Sequence, residues 1–193
     1  MEKKGRGITR QLFDAVNPYR WITGARNLMF DNGILESRSF PIATICIGNI
    51  SVGGTGKTPH TEYLIELLQK NHSIAVLSRG YGRKSKGYVK ADGATRMPQI
   101  GDEPFQIKNK YPDISVAVCE KRVTGIERLT SEIKGLDVIL LDDAYQHRYV
   151  KAGLNILLID SNRPIWNDCV LPFGRLRETI AGTKRADVVI MTK

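Results

Sequence analysis

The sequence contains little cysteine and no long apolar run. Its three cysteines, Cys46, Cys119 and Cys169, lie far apart and lack metal-ligand spacing, which argues against a zinc site and predicts a reducing compartment. No stretch reaches the roughly 18 consecutive apolar residues that a membrane-spanning helix needs. Internal repeats and low-complexity segments are absent as well. With 41% apolar and 25% charged residues, the chain is predicted to be an ordinary globular protein.

Acidic residues are too few to balance the basic ones. There are 29 Lys and Arg against 20 Asp and Glu, which gives a formal net charge of +9. The basic residues cluster in the first forty residues and in segment 78–90, which carries five Lys or Arg and no acid. Such clusters serve nucleic acid, anionic lipid or a phosphorylated substrate, although a solvated basic face is the simpler explanation.

Short apolar segments alternate with amphipathic ones from residue 42 onward. This is typical of an α/β fold, with a mostly parallel sheet and helices on both of its faces. We expect one such domain over residues 41–193 and a helical segment over residues 1–40. Strands are predicted at 41–49, 73–80, 113–119, 136–143, 154–160 and 186–192, and helices at 58–70, 102–111 and 121–134. Nothing follows the last strand to cover it, so the chain is expected to be the N-terminal part of a longer protein.

The segment before this domain predicts an amphipathic helix over residues 18–30. Asn17 is a good N-cap residue, and Pro18 suits the first helical position. At about 100° per residue, one face carries the apolar side chains of Trp21, Ile22, Ala25, Leu28 and Met29. Arg20 lies opposite and Arg26 flanks this face. Such a helix can lie in a membrane interface, but packing of the same face on the protein's own core is slightly favoured.

Residues 48–60, GNISVGGTGKTPH, predict a nucleotide-binding loop. The usual phosphate-loop pattern is Gly, four free positions, then Gly-Lys-Ser/Thr, and Ser51 stands where the first Gly belongs. Ser51 is small, and the glycines that follow let backbone N–H groups point at phosphate. The loop also follows a strand and opens a helix, whose N-terminus favours anions. The predicted nucleotide-binding residues are Ser51, Val52, Gly53, Gly54, Thr55, Gly56, Lys57 and Thr58, with Lys57 on the terminal phosphates and Thr58 on Mg²⁺.

A metal site is predicted where the strand at 136–143 ends. Asp142 and Asp143 are adjacent carboxylates at the carboxyl end of that strand, and such oxygens suit Mg²⁺. An Asp pair after a strand more often forms part of a turn or a helix cap. The neighbouring phosphate loop favours the metal role.

Two further titratable residues have open roles. Asp102 is well placed as an N-cap, with Pro104 in the first helical turn, but it could instead accept a proton from an attacking hydroxyl. His147 could orient a phosphate or act as a base. The residues alone do not choose among these roles.

Taken together, these segments resemble the tetraacyldisaccharide 4′-kinase family, the lipid A 4′-kinases of Gram-negative bacteria. The matching segments, in chain order, are RNLMFDNGILESRSFP, IGNISVGGTGKTP, LSRGYGRKSKG, IGDEP, ILLDDAYQH and LPFGRLRE. The resemblance extends over residues from about 26 to 193. The family's loop carries Ser or Thr at the position of Ser51. This sequence departs from the family at Ala144, where Gly is common, and at PFGRLRE, where PAGPLRE is more usual.

The resemblance implies a P-loop kinase-like fold and a specific reaction. ATP, with Mg²⁺, would donate its γ-phosphate to the 4′-hydroxyl of tetraacyldisaccharide 1-phosphate, giving the bis-phosphorylated lipid A precursor. By position, Asp102 corresponds to the proposed catalytic base, and Asp142 and Asp143 to the Mg²⁺-associated pair. Gln146, His147, Arg177 and Glu178 fall on motif positions near the site. Because the family is longer than this chain, part of its catalytic apparatus is expected beyond Lys193.

A lipid substrate implies peripheral contact with the cytoplasmic face of the inner membrane, which the helix at 18–30 would permit. The anionic 1-phosphate of that substrate would suit the basic side chains of Arg79, Arg83, Lys84 or Lys86. No nucleic-acid or protein partner is expected.

Two other classes compete with the kinase interpretation. A GTP-dependent switch protein of the metal-delivery type shares the glycine-rich loop, but the sequence has no Asn-Lys-x-Asp segment and no metal-ligand cluster. A basic nucleic-acid-binding module would explain the net charge but leaves the Asp pair and the amphipathic helix without a role.

Overall fold

A computed structural model describes residues 16–192, so residues 1–15 of the predicted N-terminal segment lie outside the described residues. The elements, in chain order, are α1 (Pro18–Asp31), β1 (Ala43–Gly48), α2 (Lys57–Leu68), β2 (Ile74–Ser78), β3 (Val89–Lys90), α3 (Met97–Ile100), α4 (Asp102–Lys110), β4 (Ser115–Val118), α5 (Arg122–Glu132), β5 (Val138–Asp142), β6 (Leu154–Asp160), two 3₁₀ helices (Ile165–Asn167 and Ile180–Arg185) and β7 (Val188–Thr192).

Within the described chain, seven strands form one sheet in the order β3-β4-β2-β5-β1-β6-β7. Neighbouring strands are parallel, except that β3 runs antiparallel to β4. This confirms the predicted mostly parallel α/β fold. The register pairs Ile47 of β1 with Asp142 of β5, so the chain segments that follow these two central strands leave the sheet at the same edge.

Helices cover both faces of the sheet because the buried strands alternate their side chains between two apolar clusters. In one cluster, Ile47 and Leu140 pack with Ile65 of α2 and Ile107 of α4. In the other, residues such as Leu77 and Leu141 pack with Ile126 and Leu129 of α5. The sheet is therefore apolar on both sides, and its polar loops carry the candidate site.

The predicted elements from residue 41 onward are present with bounds shifted by a few residues. The strand β3, the helix α3 and the two 3₁₀ helices were not predicted. Each is six residues long or shorter, and so short a segment shows no apolar period to detect.

Helix α1 begins as predicted, with the Asn17 side chain accepting a hydrogen bond from the backbone N–H of Arg20. Its apolar face, however, points away from the domain. Trp21 is 59% exposed, Ile22 68% and Leu28 61%. Among residues 16–192, this face therefore does not pack on the core of the domain, contrary to the favoured interpretation. The helix contacts the domain through other side chains, among them the buried Phe30. None of the helices in residues 16–192 is long and apolar enough to cross a membrane.

Candidate active site

The predicted phosphate loop connects β1 to α2, and its shape depends on two glycines. Gly53 has φ +114° and Gly56 has φ +80°, a conformation that side chains with a Cβ rarely adopt. The buried Asn49 donates from Nδ2 to Thr55 Oγ1 at 2.7 Å. Lys57 is the first residue of α2. The N–H groups of the first turn, which have no partner within the helix, therefore lie next to the loop. The loop therefore has the geometry that anion binding requires.

A second segment, residues 169–177, runs beside the phosphate loop and is here called the Arg177 loop. Ser51 pairs with Leu176 in an antiparallel bridge. The Val52 N–H donates to the Arg175 carbonyl at 2.7 Å, and the Arg177 N–H donates to the Ile50 carbonyl at 2.7 Å. These backbone bonds bring the Arg177 side chain to the phosphate loop from more than one hundred residues further along the chain.

Three of the predicted site residues meet in one ion-pair cluster. Lys57 Nζ lies 3.6 Å from Asp143 Oδ1. Arg177 Nη1 donates to both carboxylate oxygens of Asp143, at 2.9 and 3.0 Å, and to Gln146 Oε1 at 3.3 Å. Asp143 has φ +46°, which turns the chain sharply after β5 and aims the carboxylate between the two cations.

Asp142, the last residue of β5, is buried beneath this cluster. Its Oδ1 accepts a long hydrogen bond, 3.5 Å, from Thr61 Oγ1. Burial, followed by the nearby charges of Glu103 and Asp143, raises the pKa of Asp142 to about 6. A cation bound here would stabilise the ionised form of Asp142, because it would offset the cost of burying a negative charge.

Arg122 lies under the Asp pair and was not predicted. The residue is 2% exposed, and its guanidinium donates to the carbonyl oxygens of Cys119 at 2.7 Å and Asp142 at 3.2 Å. Burial lowers the pKa of Arg122 from its ordinary value. An Arg at the start of an amphipathic helix is usually solvated, so nothing in the local sequence distinguished it.

Asp102 lines a cavity of about 260 Å³ near this cluster, together with Lys57, Asp143 and Arg177. The interpretation of Asp102 as an N-cap is wrong, since Gly101 holds the cap position with φ +90° and, among the described residues, no side chain caps α4. Tyr81 also lines the cavity and is 89% exposed. Tyr81 was not predicted, because nothing in the pattern of its basic segment distinguishes it.

His147 lies elsewhere. It lines a separate cavity of about 790 Å³, and its Nε2 accepts a hydrogen bond from the Arg122 N–H at 3.3 Å. Burial, with the positive charges of Arg122, Arg26 and Arg79, lowers the pKa of His147 to about 4. The imidazole is therefore neutral at physiological pH, with one ring nitrogen already engaged.

The basic segment 78–90 is not uniformly available for binding. The Arg83 side chain is 3% exposed, pairs with Glu120 and donates to the Gly87 carbonyl at 2.7 Å. The expectation that Arg83 meets an anionic substrate group is therefore wrong. Arg79, Lys84 and Lys86 are exposed.

Comparison with known proteins gives the same family by several routes. The family model of tetraacyldisaccharide-1-P 4′-kinase (LpxK) matches residues 10–193. The tetraacyldisaccharide 4′-kinase of Phocaeicola vulgatus is 57% identical over 182 residues, which cover 91% of this chain and 50% of that protein. The enzyme of the same name from Flavobacterium psychrophilum is 52% identical over 186 residues, 96% of this chain and 54% of that protein.

The fold is similar to a solved structure of the same family. The crystal structure of LpxK from Aquifex aeolicus in complex with ATP superposes with a TM-score of 0.84 at 35% identity. The match covers 100% of this chain and 59% of that one. The chain spans about half the length of the curated relatives it matches.

Proposed function

Because the chain belongs to the tetraacyldisaccharide-1-P 4′-kinase family, we propose that the full-length protein transfers the γ-phosphate of ATP to the 4′-hydroxyl of tetraacyldisaccharide 1-phosphate. The product would be the bis-phosphorylated lipid A precursor. The main support for this proposal is that one cavity near the phosphate loop is lined by Lys57, Asp102, Asp143 and Arg177. Incubation of the full-length protein with radiolabelled ATP and the disaccharide, followed by thin-layer chromatography, tests it.

Nucleotide binding is assigned to residues 51–58. The backbone N–H groups of the loop and of the first turn of α2 would surround the phosphates. Lys57 would move from Asp143 to the γ-phosphate, since a dianionic phosphate attracts an ammonium more strongly than one carboxylate does. Arg177 would hold Asp143 in place during this exchange and would neutralise charge on the transferring group.

The donor set near the loop fits Mg²⁺, which prefers carboxylate, hydroxyl and phosphate oxygens. Thr58 and Asp142 would hold the ion, with Asp143 beside it. Within residues 16–192, no group of three or more His, Cys, Asp or Glu could hold a metal alone, so the phosphates of ATP would complete the coordination. When bound, Mg²⁺ would neutralise negative charge on the β- and γ-phosphates.

Asp102 is assigned as the base. As the 4′-hydroxyl oxygen forms its bond to the γ-phosphorus, the bond from that phosphorus to the bridging oxygen breaks and ADP leaves with the electron pair. The hydroxyl proton passes to the Asp102 carboxylate. Asp102 is exposed at the cavity, where an acceptor from solvent can reach it.

Asp102→Asn is expected to lower kcat by about a hundredfold or more and to leave ATP affinity within about threefold. The amide has the same size but cannot take the proton. Because Asp102 does not cap α4, the melting temperature should barely change. Steady-state kinetics and thermal unfolding of the full-length variant check this. A large loss of stability with unchanged kcat would contradict the assignment.

Peripheral membrane contact is assigned to the apolar surface of α1, formed by Trp21, Ile22, Ala25, Leu28 and Met29. These side chains lie on the exposed side of the helix. Burying on the order of several hundred Å² of this surface in a bilayer would contribute several kcal/mol at about 25 cal/mol per Å². The surface would place the enzyme on the cytoplasmic face of the inner membrane, where ATP and the anchored lipid are both available.

Trp21→Glu combined with Leu28→Glu is expected to abolish cosedimentation with anionic vesicles. Both side chains are exposed, so the melting temperature should stay within about 3 °C. Gln69→Glu with Asn71→Glu adds the same two charges at exposed positions after α2 and should retain vesicle binding. If the α1 variant unfolds, or still binds vesicles as the wild type does, the membrane role of α1 is wrong.

A further inference from the structure

Asn17 is a fully buried polar side chain that joins distant parts of the chain. It is 0% exposed. Its Oδ1 accepts from the Arg20 N–H at 3.1 Å, which caps α1. Its Nδ2 donates to the carbonyl oxygens of Val170 at 3.1 Å and Leu171 at 2.9 Å, the first of which lies 153 residues further along the chain. One amide therefore connects the start of α1 to the Arg177 loop.

The Arg177 loop transmits this connection to the candidate active site. The Leu171 N–H donates to the Leu176 carbonyl at 2.8 Å, and the Leu176 N–H donates to the Cys169 carbonyl at 2.9 Å. These bonds close the Arg177 loop on itself, with Val170 and Leu176 paired in a parallel bridge. The first part of the loop, at Val170 and Leu171, meets Asn17. The last part, at Arg175 and Arg177, makes the backbone bonds to Val52 and Ile50 of the phosphate loop.

Further side chains of α1 contact the end of the Arg177 loop and the residue that follows it. Tyr19 donates from its hydroxyl to the Arg177 carbonyl at 3.2 Å. Asn27 Nδ2 donates to Glu178 Oε2 at 3.1 Å. The helix thus presents polar side chains to the Arg177 loop and its apolar surface to the outside. Asn17 is the most deeply buried of these three side chains and satisfies two carbonyl groups at once, so we expect its loss to affect the loop most.

We propose that Asn17 is a positioning residue, through which α1 holds the Arg177 loop, and with it the phosphate loop and Arg177, in the arrangement that the reaction needs. This inference rests on the proposed kinase function. Without the Nδ2 donor, the Val170 and Leu171 carbonyls lose their partner, and the Arg177 loop shifts so that they can find another. The shift moves the Arg177 guanidinium and the backbone that receives the phosphates. A displacement of about 1 Å at a reacting group lowers turnover by up to about a hundredfold.

Two substitutions remove the hydrogen bonds from Asn17 to the Arg177 loop while keeping the side-chain cap of α1. Asn17→Asp keeps an oxygen that caps α1 but replaces the donor with a carboxylate oxygen, which repels the two carbonyls. Asn17→Ser also keeps a capping oxygen and is too short to reach the loop. Asn32→Asp is the matched control, since it makes the same chemical change at the exposed end of the same helix.

The readouts are ATP affinity, measured by titration of a fluorescent ATP analogue, kcat for the disaccharide, the melting temperature and vesicle binding. All four measurements are made on the full-length protein, the first, second and fourth at a temperature well below its melting temperature. Both Asn17 variants are expected to bind ATP about tenfold more weakly and to lose about tenfold or more in kcat, with vesicle binding unchanged. Asn32→Asp should match the wild type in all four.

Wild-type ATP affinity and kcat in both folded Asn17 variants, with only a lower melting temperature, would overturn the proposal, because Asn17 would then merely stabilise the fold. The ATP titration needs no lipid acceptor. A wild-type protein that binds ATP without phosphorylating the disaccharide would therefore refute the proposed function, while the effect of Asn17 on the phosphate loop would still be measured.

Discussion

Replacing Lys57 with alanine is expected to abolish phosphoryl transfer, lowering kcat by about a thousandfold or more. The Lys57 ammonium is the cation that the first turn of α2 supplies at the phosphate loop. In the transition state it would stabilise charge on the γ-phosphate that loop N–H groups alone cannot balance. The substitution also removes the partner of Asp143 at 3.6 Å, although Arg177 continues to hold that carboxylate.

Steady-state kinetics and thermal unfolding of the full-length variant measure this effect. Lys70→Ala is a matched control, because the same change is made just beyond the other end of α2. That variant should retain wild-type turnover. Turnover within about tenfold of wild type in the Lys57 variant would remove the assignment of this loop to the reacting phosphate.

Asp142→Asn is expected to have opposite effects on activity and stability. Turnover should fall by about a hundredfold or more, since the amide cannot supply the negative charge that Mg²⁺ would need. Stability of the nucleotide-free protein at pH 8 should rise by on the order of 2 kcal/mol, because the variant no longer buries an ionised carboxylate. Such a trade-off is typical of residues kept for chemistry rather than folding.

The gain in stability depends on pH in a defined direction. Since the pKa of Asp142 is raised from 3.8 to about 6 in the folded protein, the wild type loses stability as the pH rises from about 4 through 6. The advantage of the Asn variant should therefore be full at pH 8 and vanish near pH 4. His147, whose pKa is lowered to about 4, acts in the opposite direction, but it is present in both proteins.

Urea unfolding of the two proteins across this pH range measures the difference. Asp143→Asn is the comparison, because its carboxylate is partly exposed and already paired with Lys57 and Arg177. That variant should show no gain in stability. An Asp142 variant that is less stable than wild type at pH 8 would contradict the view that this carboxylate is strained by burial.

Most of the fold followed from the sequence because the buried strands are continuous apolar runs. The phosphate loop was predictable for a related reason, since its glycines, Lys57 and Thr58 lie within a few residues of one another. The N-cap interpretation of Asp102 was wrong because an Asp shortly before Pro104 has the sequence pattern of an N-cap without holding that position. The cap position went to Gly101, whose positive φ ends α3 and starts α4 in one residue.

The parts that the sequence did not reveal depend on contacts between distant segments. Arg122 and Tyr81 lie at the site only because of the order of the strands in the sheet. No local sequence pattern indicates that order. The apolar period of α1 identified which side chains share a face but not whether that face is covered. The network around Asn17 is of the same kind, since its partners lie 153 and 154 residues away.

Locating the transferred phosphate on the product is the most direct test of the proposed kinase activity. The full-length protein would be incubated with Mg²⁺, radiolabelled ATP and tetraacyldisaccharide 1-phosphate, and the labelled lipid would be analysed by NMR to locate the new phosphate. We expect one added phosphate on the 4′-oxygen with the wild type and no labelled lipid with Lys57→Ala. Label on another hydroxyl, or release of free phosphate without labelled lipid, would contradict the proposed function.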